Sequence, residues 1–124
     1  MWNVLEIKKR DVIVTSCTNS TIVFWNLQTF KKEGTVQNVY AGTPKHMIEL
    51  PNQFIAVSNY IPPNPIVIID SFNYMKIQEI YQQGYIVQRS SLTMVDEESF
   101  VYAYEGNVVQ ISTKTYGIMF KTNT

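Results

Sequence analysis

Three stretches of this 124-residue chain align without gaps: residues 21–30 (TIVFWNLQTF), 65–74 (PIVIIDSFNY) and 107–116 (NVVQISTKTY). Successive copies are offset by 44 and 42 residues. Each copy has an apolar run of four or five residues, then small or polar residues, then an aromatic: Phe30, Tyr74 and Tyr116. A period near forty-three residues constrains the chain more than any other feature, because stacked repeats bury what one repeat leaves exposed.

The flanks repeat as well. Upstream of each copy lie residues 12–15 (VIVT), 54–57 (FIAV) and 100–104 (FVYAY), and before these 4–7 (VLEI), 47–50 (MIEL) and 92–95 (LTMV). Residues 31–36, 75–80 and 117–122 follow. Each unit thus holds four short segments, named a to d. They are rich in Val, Ile, Tyr and Phe and bounded by Asn, Ser, Pro and Gly, the pattern of β-strands. Residues 19–20 and 105–107 read as tight turns, where Asn and Gly tolerate positive φ. No window sustains an apolar period near 3.6, so little or no helix is expected. Segment c is apolar on both faces, and side chains alternate across a sheet. Both of its faces must therefore be covered. Segment d is mixed and suits an outer strand. Four-stranded units of this period are the propeller pattern. The expected fold is all-β: one domain of three four-stranded antiparallel blades, spanning about residues 2–37, 45–81 and 89–123, in an open β-propeller.

At this level of detail the chain resembles the WD-repeat family. Trp25-Asn26 stands where that family has its Trp-Asp pair, at the end of strand c. Asn19 matches its turn aspartate and Thr15 its strand-b Ser/Thr. The second blade has Ile69-Asp70 and the third Ile111-Ser112 at the same place. The resemblance implies a hydrogen-bonded network through Thr15, Asn19, Trp25 and Asn26, with Asp70 in the second blade. The histidine of that network has no counterpart here. It also implies a scaffold that holds partner proteins.

Propellers close with roughly four to eight blades. Three leave two apolar faces open, and such faces favour association. Further blades, or self-association of two copies into six blades, are expected to complete the ring.

Composition narrows the function classes. Hydrophobic residues make up 45% and charged residues 16%, a folding composition. Ten basic and ten acidic side chains cancel, which argues against nucleic acid as a partner. A single cysteine, Cys17, allows no internal disulfide, and with a single histidine, His46, no usual zinc site. The N-terminal residues lack a signal-peptide pattern, and the longest uncharged stretch, residues 50–69, contains four prolines. A cytoplasmic location without membrane contact is expected. Residues 19–21 (NST) also fit a glycosylation acceptor.

Candidate contact residues are Tyr40, His46, Tyr60, Tyr81, Tyr85 and Arg89, in or beside the connections between segments, where recognition usually resides. Residues 61–65 (IPPNP) form a stiff insertion that suits a rigid loop. Asp96, Glu97 and Glu98 read as a solvated turn, and Cys17 as a small buried hydrophobe. No phosphate loop, nucleophile elbow or metal spacing occurs, so no catalytic residue or cofactor is expected. The leading expectation is a non-enzymatic protein–protein interaction scaffold. The rival is a propeller enzyme using carboxylates on the innermost strands, Glu6 and Glu49, with Thr93 beside them. A third possibility is part of a larger propeller without independent function.

Overall fold

The computed structural model describes residues 3–17, 20–39, 44–51, 53–59, 66–80, 90–104 and 107–122. Its strands fall into three sheets of four, each an antiparallel meander in sequence order. Blade 1 holds β1 (Asn3–Ile7), β2 (Val12–Cys17), β3 (Thr21–Asn26) and β4 (Lys32–Val36). Blade 2 holds β5 (Pro44–Glu49), β6 (Phe54–Asn59), β7 (Ile66–Asp70) and β8 (Met75–Ile80). Blade 3 holds β9 (Ser90–Asp96), β10 (Ser99–Tyr104), β11 (Asn107–Ser112) and β12 (Ile118–Lys121). One 3-10 turn, Lys8–Arg10, is the only helical element among the described residues.

The register confirms the repeat. Ile13 lies opposite Trp25, Ile55 opposite Ile69, and Phe100 opposite Ile111. Each c–d pair carries an irregularity at the same place, at Phe24/Trp25, Ile68/Ile69 and Gln110/Ile111. A bulge there bends the outer strand and sharpens the local twist.

The c–d turns share one device. Asn26 Oδ1 accepts the N–H groups of Gln28 and Thr29 at 2.8 and 3.1 Å. Asp70 Oδ1 does the same for Phe72 and Asn73, and Ser112 Oγ for Lys114 and Thr115. A short polar side chain at this position mimics a backbone turn. The turn closes on the repeated aromatic, Phe30, Tyr74 or Tyr116, each in the left-handed region with φ of 58°, 56° and 59°.

Side chains from facing blades form two cores. Phe24, Ile22, Val14 and Val12 of blade 1 cluster with Ile55, Val57, Val67 and Ile69 of blade 2. The other face of blade 2, with Ala56, Ile66 and Ile68, clusters with Phe100, Tyr102, Val109 and Ile111 of blade 3. β1 lies beside β5 and β5 beside β9, so the a strands are innermost and the d strands outermost. All five residues of β7 are buried, as its apolar sequence requires. Coverage of both faces holds fully only there. In β3, Trp25 is half-buried, and in β11 the side chains from Val108 to Ser112 alternate between half-buried and buried. These strands belong to terminal blades, each with one neighbour. β12 is exposed throughout and β8 nearly so, as expected of outer strands.

Candidate functional site

The end of the blades that carries the a–b and c–d turns presents a cleft between blades 1 and 2. Ile7, Leu50, Pro51 and Phe54 supply apolar lining, Phe72 a half-exposed wall, and Lys9, Arg10 and Glu49 the polar rim. Its volume is about 200 Å³. An open groove continues from it past Met94 to Asp96 and Glu97 of blade 3.

Arg10 organises the cleft. The 3-10 turn, closed by Asp11 with φ of 52°, turns its side chain across to blade 2. Its guanidinium donates to both the carbonyl and the hydroxyl oxygen of Ser71 at 3.0 Å. It also lies 4.0 Å from the centroid of the Phe72 ring, a cation–π contact. The Ser71 hydroxyl in turn donates to the Gln53 carbonyl at 2.6 Å. On its other side Arg10 reaches Glu33 at 3.7 Å, and Glu33 accepts from the Tyr74 hydroxyl at 3.3 Å. Burial, then the Glu33 carboxylate, push the Tyr74 phenol above its ordinary pKa. The Tyr74 ring meets Phe24 at 5.1 Å between centroids. This chain of polar contacts, with the ring contact of Tyr74 on Phe24, thus adds to the apolar core that joins blade 2 to blade 1.

Of the residues singled out in the sequence, Thr15 and Trp25 are joined: the indole N–H donates to Thr15 Oγ1 at 3.0 Å. Both line the outer face of blade 1. Asn26 and Asp70 cap their turns as described. His46 is half-buried, and its Nδ1 accepts the N–H of Leu92 at 3.0 Å, linking β5 to β9. Its ring therefore serves the contact between blades 2 and 3. Tyr40, Tyr60, Tyr81, Tyr85, Arg89 and Asn19, with the 61–65 insertion, lie outside the described residues. Asp96, Glu97 and Glu98 are exposed, and Asp96 Oδ1 accepts from the Glu98 N–H. Cys17 is half-buried.

Glu6 and Glu49 are equivalent in register, opposite Ile13 and Ile55. Both are exposed, and Glu6 does not line the cleft that Glu49 lines. Met94 takes their place in blade 3, opposite Phe100. No group of three or more His, Cys, Asp or Glu side chains is arranged to hold a metal among the described residues. Nor is any helix among them long and apolar enough to cross a membrane.

Sequence reasoning missed Arg10, Glu33, Ser71 and Phe72. The repeated aromatic position was its nearest signal, but what Tyr74 meets, at Phe24, Glu33 and Gly34, lies forty or more residues away.

These units define the fold class: the chain is built as three blades of a β-propeller. Among solved structures it is similar to U3-55K, a WD40 β-propeller protein, with a TM-score of 0.77 at 11% identity. The alignment covers 98% of this chain and 38% of U3-55K. No family model matches the chain, and no curated protein matches it in sequence.

Proposed function

We propose that the chain is a protein–protein interaction module of divergent WD-type repeats, binding rather than catalysing. The observation that carries this reading is the cleft between blades 1 and 2. It is concave, mostly apolar, and edged by a few charged groups on a rigid frame, as recognition sites are. At about 200 Å³ it is smaller than typical small-molecule sites of roughly 300–1,000 Å³. That size suits one large side chain of a partner protein. The groove beyond it ends on Asp96 and Glu97. An extended partner segment would place an apolar side chain against Phe72 and a basic residue near those carboxylates. The Thr15–Trp25 bond and the Asn26 and Asp70 turn caps support the WD-type reading.

Selection of a random-peptide library on the immobilised chain tests this. Enriched peptides should share a large apolar residue with a basic residue nearby. Their affinity should fall at least about tenfold for Phe72→Ser, the loss expected of a central contact. Peptides that bind the variant equally well, or no enrichment, would refute the site.

A further inference from the structure

The three blades carry an internal control on which faces are built to be covered. By register, Val4, Met47 and Leu92 are equivalent, as are Ile13, Ile55 and Phe100, and Trp25, Ile69 and Ile111. In blades 2 and 3 these positions are at most 4% exposed, because the preceding blade packs on them. In blade 1, Val4 is 65% exposed, and Ile13 and Trp25 are half-buried. The opposite end of the chain shows the converse. Opposite Ser99, where blades 1 and 2 have the buried Ile7 and Leu50, blade 3 has the exposed Asp96, and the bulge residue Val95 beside it is 52% exposed. Val108 and Gln110 are half-buried, where Ile22 and Phe24, and Ile66 and Ile68, are fully buried.

The repeated aromatic makes the same point. Tyr74 crosses to blade 1 and lies on Phe24 and Gly34, which are paired across β3 and β4. Its counterpart on blade 1, Phe30, is 78% exposed. The counterparts of Phe24 and Gly34 on blade 3 are the paired residues Gln110 and Phe120, with Phe120 54% exposed.

We propose that a second copy of the chain covers both faces at once. Blade 3 of each copy packs head-to-tail on blade 1 of the other, forming a six-bladed ring. The two open faces are the two halves of an interface that the chain already makes twice. A second copy therefore presents to each face the kind of surface that covers its equivalents. Phe30 of one copy lies against Gln110 and Phe120 of the other, an aromatic pair in place of the ring-on-glycine contact. The blade 1 face carries one charge of each sign, Glu6 and Lys32; on the blade 3 face Thr93, Val101, Val108, Gln110 and Phe120 carry none, and Asp96, opposite Ser99, puts one carboxylate at its edge. Six blades fall within the range that closes, and twofold assemblies are the commonest among oligomers. Closure removes both apolar faces from water.

Sedimentation equilibrium of the full chain, with Phe30→Asp and Phe120→Asp variants, tests the proposal. The parent chain should sediment at twice the 14.3 kDa chain mass. Each variant should sediment at the mass of one chain while keeping the parent circular dichroism, since both side chains are exposed. An equimolar mixture of the two variants should recover a two-chain species, because one of its two joints stays unmodified. Val4→Asp and Val95→Asp, on the same two faces, replace either variant that fails to fold. A monomeric parent chain, a Phe120→Asp variant that still pairs, a mixture that stays monomeric, or assemblies larger than two chains would each overturn the proposal.

Discussion

The ring of Tyr74 in blade 2 lies on the backbone of Gly34 in blade 1, so close that a Cβ on residue 34 would fall 2.5 Å from the ring. The atoms it would meet include Cγ, at the base of the ring, so the tyrosine cannot swing aside without leaving Phe24. Gly34→Ala should destabilise the chain by about 1–3 kcal/mol, the usual cost of overpacking. Urea denaturation checks this as a lowered midpoint with an unchanged slope. An unchanged midpoint would mean that blades 1 and 2 are not packed as described.

Arg10 holds blade 1 to blade 2 through two charge-assisted bonds to Ser71 and a stack on Phe72. Arg10→Ala should cost about 1–3 kcal/mol. Arg10→Lys should recover only part of this, because an ammonium lacks the planar fork and stacks less well. The ion pair with Glu33 is partly in water and contributes little of the loss. Thermal unfolding of the three proteins at two salt concentrations separates these contributions. Equal stability of the Lys and Arg forms would contradict the geometry.

The Tyr116 hydroxyl is buried with no hydrogen-bond partner among the described residues. Burial raises its pKa above the ordinary 10.0. Below pH 10 both folded and unfolded chains carry the neutral phenol, and this group leaves stability level. Above it the unfolded chain ionises first, so stability falls as pH rises towards the folded pKa. Tyr116→Phe should remove this part of the alkaline fall and leave that of Tyr74. Near neutral pH it should stabilise by up to about 1 kcal/mol, since an unsatisfied buried hydroxyl is lost. Stability measured from neutral to strongly alkaline pH checks both signs, and a clear loss in the variant at neutral pH would reveal a bond to that hydroxyl.

Met47 and Val4 occupy equivalent places in blades 2 and 1, with 4% and 65% exposure. Met47→Ala should cost about 2–5 kcal/mol. For Val4→Ala in the monomeric Phe120→Asp background, the change should lie within about 0.5 kcal/mol. Comparable losses at both sites, by chemical denaturation, would mean that the exposed face of blade 1 is covered within the chain itself.

Much of this architecture was legible in the sequence because β-strands print their burial as alternation. The run Ile66, Val67, Ile68 and Ile69 announces a strand covered on both sides, and all four are buried. β8 begins and ends where its pattern does. Some strands extend past their apolar runs, as at Ser16 and Cys17 or Ser58 and Asn59, whereas β4 and β12 are shorter than the segments read for them. The partner strand, not the side chain, fixes pairing at such ends. The small polar residue that ends each c strand was legible, although the bonds by which it caps the turn were not. The cleft was not legible. Arg10 and Ser71 are 61 residues apart, and only blade stacking brings them together. The equivalence of Glu6 and Glu49 likewise needed the strand register, because the a–b turns differ in sequence.

Amide hydrogen exchange followed residue by residue tests the central claim, that a middle blade is sandwiched between two others. The amides of β6 and β7 should exchange slowest, at the rate set by global unfolding. Those of β12, exposed along its whole length, should exchange orders of magnitude faster. Fast exchange across Ile66–Asp70, or protection of β12 equal to that of β7, would contradict the stacked-blade arrangement.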